Sequence, residues 1–410
     1  MKQKSILFAA LLGIAAGAGA QNIEVANIKK HVEYLASDKL KGRGTSSKGE
    51  AQAAAYIAKS FKSSGIAPKG TDGYYFPFEF KKPANMHDTV TANVKPRKGK
   101  NVVGYLDNGA EYTIVIGAHY DHLGLGHDHN STDANPEGKI HNGADDNASG
   151  TAGVMELARY YGTNNVKEKY NFLFICFSGE ELGLYGSKKY CDNPTVDLAK
   201  VNYMINMDMI GRLNDSTHKL IIYGVGTAPD WVPLIDGMQS EFSIKKDSAG
   251  VGPSDQTSFY LKGIPVLHFF TGQHSDYHKP SDDADKVNYI GEKKVLDYIT
   301  NVIAKTEALP KLKYLETKSS EENSPKFKVT LGIMPDYAYE GKGVHVDGVT
   351  NGKPGAIAGL KKGDIITTLN GDPINNMMDY MKALAKCKKG DTVPVKVKRG
   401  TEELEIKVTF

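Results

Sequence analysis

Two textures of apolar and polar positions divide this chain. Through the centre, short apolar runs alternate with segments whose apolar residues recur every three or four positions. The runs Thr113–Gly117, Asn171–Phe177, Tyr203–Asp208, Leu220–Tyr223 and Pro265–Phe269 predict strands. Gly150–Tyr161, Leu182–Tyr190, Pro229–Phe242 and Glu292–Leu309 predict helices. Upstream, Ile28, Val32 and Leu35 fall at helical spacing, and the alanine-rich stretch Gly49–Phe61 predicts a second helix before a Pro-, Gly- and aromatic-rich stretch, Pro68–Pro83. Such alternation predicts an α/β three-layer sandwich around a mostly parallel central sheet, where sites collect at the carboxyl ends of strands. After Leu309 comes a stretch of prolines, lysines, serines and glutamates. Beyond it the pattern shifts to short alternating strands at Lys326–Leu331, Val344–Val349, Asp364–Leu369, Val393–Val397 and Glu403–Phe410. The expected division is 1–20, 21–309, a linker 310–325, and a small β-rich domain 326–410.

Length agrees with that division, since 410 residues exceed one ordinary core. The first twenty residues form an export signal in outline: Lys2 and Lys4, an apolar run from Ile6 to Ala16, then Ala18-Gly19-Ala20. That run is short for a membrane span, and no later segment is long and apolar enough, so the expected location is periplasmic or secreted with no membrane span after signal removal. Loss of the signal leaves 49 basic against 48 acidic residues, a balance that argues against a nucleic-acid partner. Three cysteines at irregular spacing give no disulfide framework; Cys176 and Cys191 are expected as structural thiols.

Ligand-type side chains concentrate immediately after the predicted strands. They fall in Gly117-Ala118-His119-Tyr120-Asp121-His122, in Asn142-Gly143-Ala144-Asp145-Asp146-Asn147-Ala148-Ser149-Gly150, in Ser178-Gly179-Glu180-Glu181-Leu182-Gly183, in Asn206-Met207-Asp208-Met209 and in Asp276-Tyr277-His278-Lys279-Pro280. Histidine together with carboxylate suits zinc, and this many carboxylates suit two ions sharing a bridge. Two such ions polarise a carbonyl and activate water, which amide hydrolysis requires. Adjacent glutamates diverge, so one can bind metal while its neighbour serves as general base.

These five segments, in this order, resemble the motifs of the bacterial di-zinc aminopeptidases of zinc peptidase clan MH, a family that includes leucyl aminopeptidases and aminopeptidase Y. The likeness runs from about Ile23 to Leu309 and includes Leu40-Lys41-Gly42-Arg43. It implies the zinc exopeptidase fold and two Zn2+ per chain. His119 and Asp208 would ligate one zinc, Glu181 and His278 the other, and Asp146 would bridge them. It also implies Glu180 as general base, Asp121 behind His119 as acceptor of its second ring proton, and Tyr277 as hydrogen-bond donor to the oxyanion.

Other residues have plainer accounts. Asp145 is expected to cap a helix and favour its dipole. His122, His127, His129 and His141 do not match the family's ligand position and are expected as loop residues near the cleft. Arg212 is left between anchoring substrate and pairing with an acid. Gln256 stands where the family often has histidine, which bears on specificity.

Lys326–Phe410 resembles a bacterial PDZ domain. Thr330-Leu331-Gly332-Ile333 looks like its carboxylate-receiving loop, and the stretch from Pro354 to Ile366 is its more distinctive part. PDZ domains add an extended peptide to a sheet edge. The expected partners are thus peptide substrates and a peptide or C-terminal ligand for this domain. The sequence favours an exported aminopeptidase. Glutaminyl cyclase, which uses one zinc, a carboxypeptidase and a catalytically inactive peptide-binding protein remain the alternatives.

Overall fold

A computed structural model describes residues 22–81, 95–128, 130–317, 329–335, 339, 341–349 and 352–410. The expected signal segment, the second half of the expected linker, His129 and residues 326–328 lie outside the described residues.

The first part is built on helices α1 (Val25–Leu35), α2 (Lys48–Ser63), α3 (Gly150–Thr163), α4 (Tyr185–Asp192), α5 (Trp231–Asp236), α6 (Gln256–Tyr260) and α7 (Tyr289–Thr306). Its strands are β1 (Ala67–Pro68), β2 (Tyr75–Phe80), β3 (Arg97–Leu106), β4 (Thr113–His119), β5 (Asn171–Phe177), β6 (Val201–Met207), β7 (Lys219–Tyr223), β8 (Ser243–Asp247) and β9 (Val266–Phe270). They form one sheet in the order β1-β3-β5-β4-β6-β9-β7-β8, with β2 added to β3. The centre is parallel, β5 with β4, β4 with β6 and β6 with β9; antiparallel pairs flank it.

Side-chain alternation along the central strands sorts the core into two layers. Ile114, Ile116, Phe172, Phe174 and Cys176 face the layer that holds α1, α2, α3, α5 and α7, whereas Val115, Leu173, Ile175 and Phe177 face α4 and α6. Both faces are covered, which is why these strands read as continuous apolar runs. Cys176, Cys191 and Cys387 are all free thiols and buried.

Several boundaries differ from the expected ones. Helix α5 ends at Asp236, capped by Gly237, well short of Phe242. Helix α4 starts only at Tyr185, because Leu184 adopts left-handed backbone and holds the preceding residues in a turn. The aromatic- and proline-rich stretch near Pro68–Pro83 contains β2, whose Phe76, Phe78 and Phe80 are buried while Pro77 and Glu79 are exposed. Residues 310–317 run along this first part: Leu312 N–H donates to Asn202 Oδ1 at 2.8 Å, and Thr317 N–H to the Tyr260 hydroxyl at 2.9 Å.

The second part has its own core, of which Leu331, Val346, Ile366, Leu369, Val395 and Val408 are members. Its strands are β10 (Ile333–Pro335), β11 (Val344–Val349), β12 (Asp364–Leu369), β13 (Asp372–Pro373), β14 (Thr392–Arg399) and β15 (Glu402–Thr409). They pair antiparallel in the order β10-β11-β12-β14-β15, with β13 on β12, and helices α8 (Pro354–Ala358) and α9 (Met377–Lys386) complete it.

Candidate metal centre

The carboxyl ends of β4, β5 and β6 converge, and each delivers ligand-type side chains within a few residues. His119 is the last residue of β4, Glu180 and Glu181 follow β5 in a turn, and Asp208 follows β6. Asp146 comes from the turn before α3, where a cis peptide joins it to Asn147, and His278 from the loop after β9.

Two sets of atoms face one another across Asp146. His119 Nε2 lies 3.3 Å from Asp208 Oδ1 and 3.4 Å from Asp146 Oδ1. His278 Nε2 lies 3.1 Å from Asp146 Oδ2 and 3.2 Å from Glu181 Oε2. Each carboxylate oxygen of Asp146 thus serves a different set. Asp146 Oδ2 is buried without an aligned hydrogen bond, although an imidazole nitrogen is close. His119, Asp146 and Glu181 each offer a ligand atom within 4.8 Å of the others. Imidazole and carboxylate donors at this density, with an orphaned buried carboxylate oxygen at the centre, fit divalent zinc.

Both candidate imidazole ligands have their second nitrogen fixed by backbone. His119 Nδ1–H donates to the Asp121 carbonyl at 3.1 Å, and His278 Nδ1–H to the Asn130 carbonyl at 2.7 Å. That arrangement selects the tautomer with Nε2 free. The Asp121 carboxylate, expected to accept the ring proton, stands 3.8 Å from His119 Nδ1. It instead accepts from Thr45 Oγ1 at 2.7 Å and from the Glu180 N–H at 3.2 Å, tying the β4 and β5 loops together.

The adjacent glutamates are shifted in opposite directions. Burial pushes Glu180 well above the usual carboxylate range; His119 opposes that, while Glu181 and Asp208 add to it. Burial acts on Glu181 as well, but His278 and His122 outweigh it and bring Glu181 down to about 2. Burial likewise opposes ionisation of Asp146, and His122, His119 and His278 together hold it well below its ordinary value. Tyr277 lines the same cavity, its ring stacked on His278 at 3.9 Å between centroids. Met209, Tyr223, Pro253 and Phe270 give the same cavity its apolar lining.

The reading of Asp145 needs correction, and four other residues gain partners. His122, just past β4, is near the cleft: its Nδ1 lies 2.7 Å from Glu181 Oε1 and its ring is buried. His141 is buried too, with Nε2 2.7 Å from Ser131 Oγ, whereas His127 is exposed. Asp145 caps no helix; it accepts from Gly211 N–H at 2.7 Å and meets His274 Nε2 at 3.0 Å, pinning the loop after Asp208. Gln256 stays behind the cavity wall, where its Oε1 meets Nδ1 of the cavity-lining His268 at 2.8 Å. Arg212, left open by the sequence, pairs with Asp276 at 3.0 Å.

Sequence reasoning also passed over the residues that join the loops. Asn147 accepts from Gly150 N–H and Met209 N–H and donates to the Met207 carbonyl, binding the Asp146 turn to the Asp208 turn. Ser131 and Thr132 hydroxyls donate to the carbonyls of His278 and Tyr277. Asn, Ser and Thr in loops are too common to single out without coordinates.

Comparison with known proteins follows the same division. Residues 101–303 match peptidase family M28, and residues 319–410 match the PDZ domain. Leucine aminopeptidase 2 of Arthroderma otae is 26% identical over 273 residues, covering 62% of this chain and 52% of that protein. The chain spans about half or less of the length of the curated relatives it matches. Among solved structures, an aminopeptidase from Aneurinibacillus sp. strain AM-1 superposes with a TM-score of 0.54 at 19% identity, over 72% of this chain and 95% of that one. A glutaminyl cyclase of Bacteroides thetaiotaomicron superposes with a TM-score of 0.55 at 18% identity, over 70% of this chain and 99% of that one. At these identities the likeness is one of fold.

Proposed function

The chain carries a peptidase family M28 domain followed by a PDZ domain, and on that premise we propose that it is an exported zinc aminopeptidase removing N-terminal residues from peptides. The observation that carries the reading is the pair of donor sets sharing Asp146. His119, Asp208 and Asp146 Oδ1 would hold one zinc; His278, Glu181 and Asp146 Oδ2 would hold the other. Two zinc ions, when bound, supply polarisation of the scissile carbonyl and acidification of a water.

The chain's own groups do the rest. Glu180 takes the proton of the attacking water and passes it to the departing amine. The Tyr277 hydroxyl donates to the oxyanion of the tetrahedral species. Carboxylates at the closed end meet the substrate's free α-amine, and the wall of Met209, Tyr223, Pro253 and Phe270 receives an apolar side chain. The PDZ domain would recruit peptides or control their access. Residues 1–20 would direct export to the periplasm or beyond.

The cyclase fold is equally close, so the discriminating measurement is zinc content together with turnover of aminoacyl substrates and their N-acetylated counterparts. Two zincs per chain, and cleavage only of the free amines, are expected. One zinc with cyclisation of N-terminal glutamine would replace this reading with the cyclase. In the same assay Glu180→Gln should keep its zinc and lose about 10²–10⁴-fold in kcat, the usual range for a general base. Near-normal turnover in that variant would remove Glu180 from the chemistry.

A further inference from the structure

The imidazole of His122, three residues beyond His119, stands beside Glu181, with Nδ1 also 3.9 Å from Asp146 Oδ2. Its Nδ1 stands 2.7 Å from Glu181 Oε1, whereas Glu181 Oε2 points to His278 Nε2 at 3.2 Å. The two oxygens of one candidate ligand are therefore divided between a hydrogen bond and the metal position.

The ring is held where it is from several sides. The His122 N–H donates to the Arg43 carbonyl at 3.2 Å. His278 packs edge-on at 5.8 Å between centroids. Gly143 closes the remaining side in left-handed backbone, and a Cβ there would come within 2.4 Å of the His122 ring. The second ring nitrogen, Nε2, is buried with no hydrogen-bond partner. Packing alone would suit a phenylalanine better than a ring that leaves a polar atom orphaned. Among the described residues the contact to Glu181 Oε1 is this ring's one hydrogen bond, so that bond is what the histidine supplies.

We propose that His122 is a positioning residue that fixes Glu181 as a one-oxygen ligand. A free carboxylate can chelate a cation through both oxygens, and a second bond from Glu181 would occupy a coordination position that water or substrate needs. With Nδ1–H donating to Oε1, only Oε2 is presented. Hydrogen bonds of this kind orient ligands and raise metal affinity. The idea rests on the two-zinc reading above.

Site-resolved zinc affinities by chelator competition test it, measured on the full chain and on H122F, H122N, E181A and the double variant H122F/E181A. Phenylalanine keeps the ring volume without a donor. Asparagine places its amide nitrogen where Nδ1 was. H122F is expected to weaken one zinc about 10–100-fold while leaving the other within about threefold, and H122N to stay within about fivefold of the wild type at both. In the E181A background H122F should add nothing. Wild-type affinity at both sites in H122F would overturn the proposal; so would equal weakening of both zincs, a loss in H122N as large as in H122F, or an undiminished loss on top of E181A. Failure of the wild type to bind two zincs would instead remove the reading on which the proposal stands.

Discussion

Arg43 shows how one side chain organises a site it never enters. Its guanidinium is fully buried and donates to four carbonyls, those of Tyr120 at 2.8 Å, Leu35 at 2.5 Å, Asn142 at 2.7 Å and Gly143 at 3.0 Å. Burial lowers it to about 10, against the pull of Asp121, Asp146, Asp282 and Glu181, so it stays charged at neutral pH and offsets that acidic group. Arg43→Met should cost on the order of 3–5 kcal/mol in urea unfolding, because several carbonyls are left buried and unpaired. Arg43→Lys should recover only part, since one ammonium cannot span the same fork. A loss under about 1 kcal/mol in Arg43→Met would mean that water replaces the guanidinium. Glu50 gives a pH signature. Burial raises it to about 8, with Asp121 adding to the shift, although Ser178 and the Ser46 N–H are bonded to it. Between about 4.5 and about 8 the folded chain holds a proton that the unfolded chain has released. Stability should therefore fall with rising pH in that window, by at most about 1.4 kcal/mol per unit. Glu50→Gln should flatten that slope in urea midpoints measured from pH 5 to 8; an unchanged slope would assign it elsewhere. At this scale Glu180, Glu181 and Asp208 were legible because they sit one to four residues past the ends of β5 and β6, whereas Asp146 and His278 were legible only through the family resemblance. His122 escaped because its partner, Glu181, is 59 residues away and only the folded chain brings them together.

Among the elements, β5 was the most legible and matters most to the core. Phe172–Phe177 is an unbroken apolar run, and the strand Asn171–Phe177 keeps those limits because it is paired on both edges and covered on both faces. Phe174 is fully buried and packs at 6.2 Å from the Phe61 ring of α2. Phe174→Ala should cost about 3–5 kcal/mol in denaturant unfolding, with zinc content per folded molecule unchanged, because Phe174 faces the helix layer away from the turn after β5. Loss of zinc at full folding would show that the strand's position is less rigid than its packing implies. Short or mixed elements were harder to read. In α5, Pro233 falls inside a helix of six residues that Gly237 caps, so a periodic apolar pattern outran the backbone that could carry it. In β2, the prolines and glycines around the strand masked the alternation of Phe76, Phe78 and Phe80.

At the level of the whole molecule, two cores are separate: the layers around the large sheet and the one formed by β10–β15 with its helices share no residue. The docked stretch 310–317 belongs to the first by its hydrogen bonds to Asn202 and Tyr260. A chain ending at Thr317 should thus fold cooperatively, keep its zinc and hydrolyse short aminoacyl substrates within about twofold of the full chain, as expected when domains carry their own cores. Unfolding or loss of zinc on truncation, read by calorimetry and metal analysis, would make the PDZ domain part of the peptidase's stability. Change only on long peptides would assign it to substrate capture. The three free thiols bear on a different matter. None is joined to another, and burial raises each thiol above its ordinary value, away from the reactive thiolate. Nothing covalent in this fold therefore responds to redox potential: a reductant should leave its melting temperature where it was, and the chain should fold as well in a reducing cytosol as in the oxidising compartment to which residues 1–20 would send it.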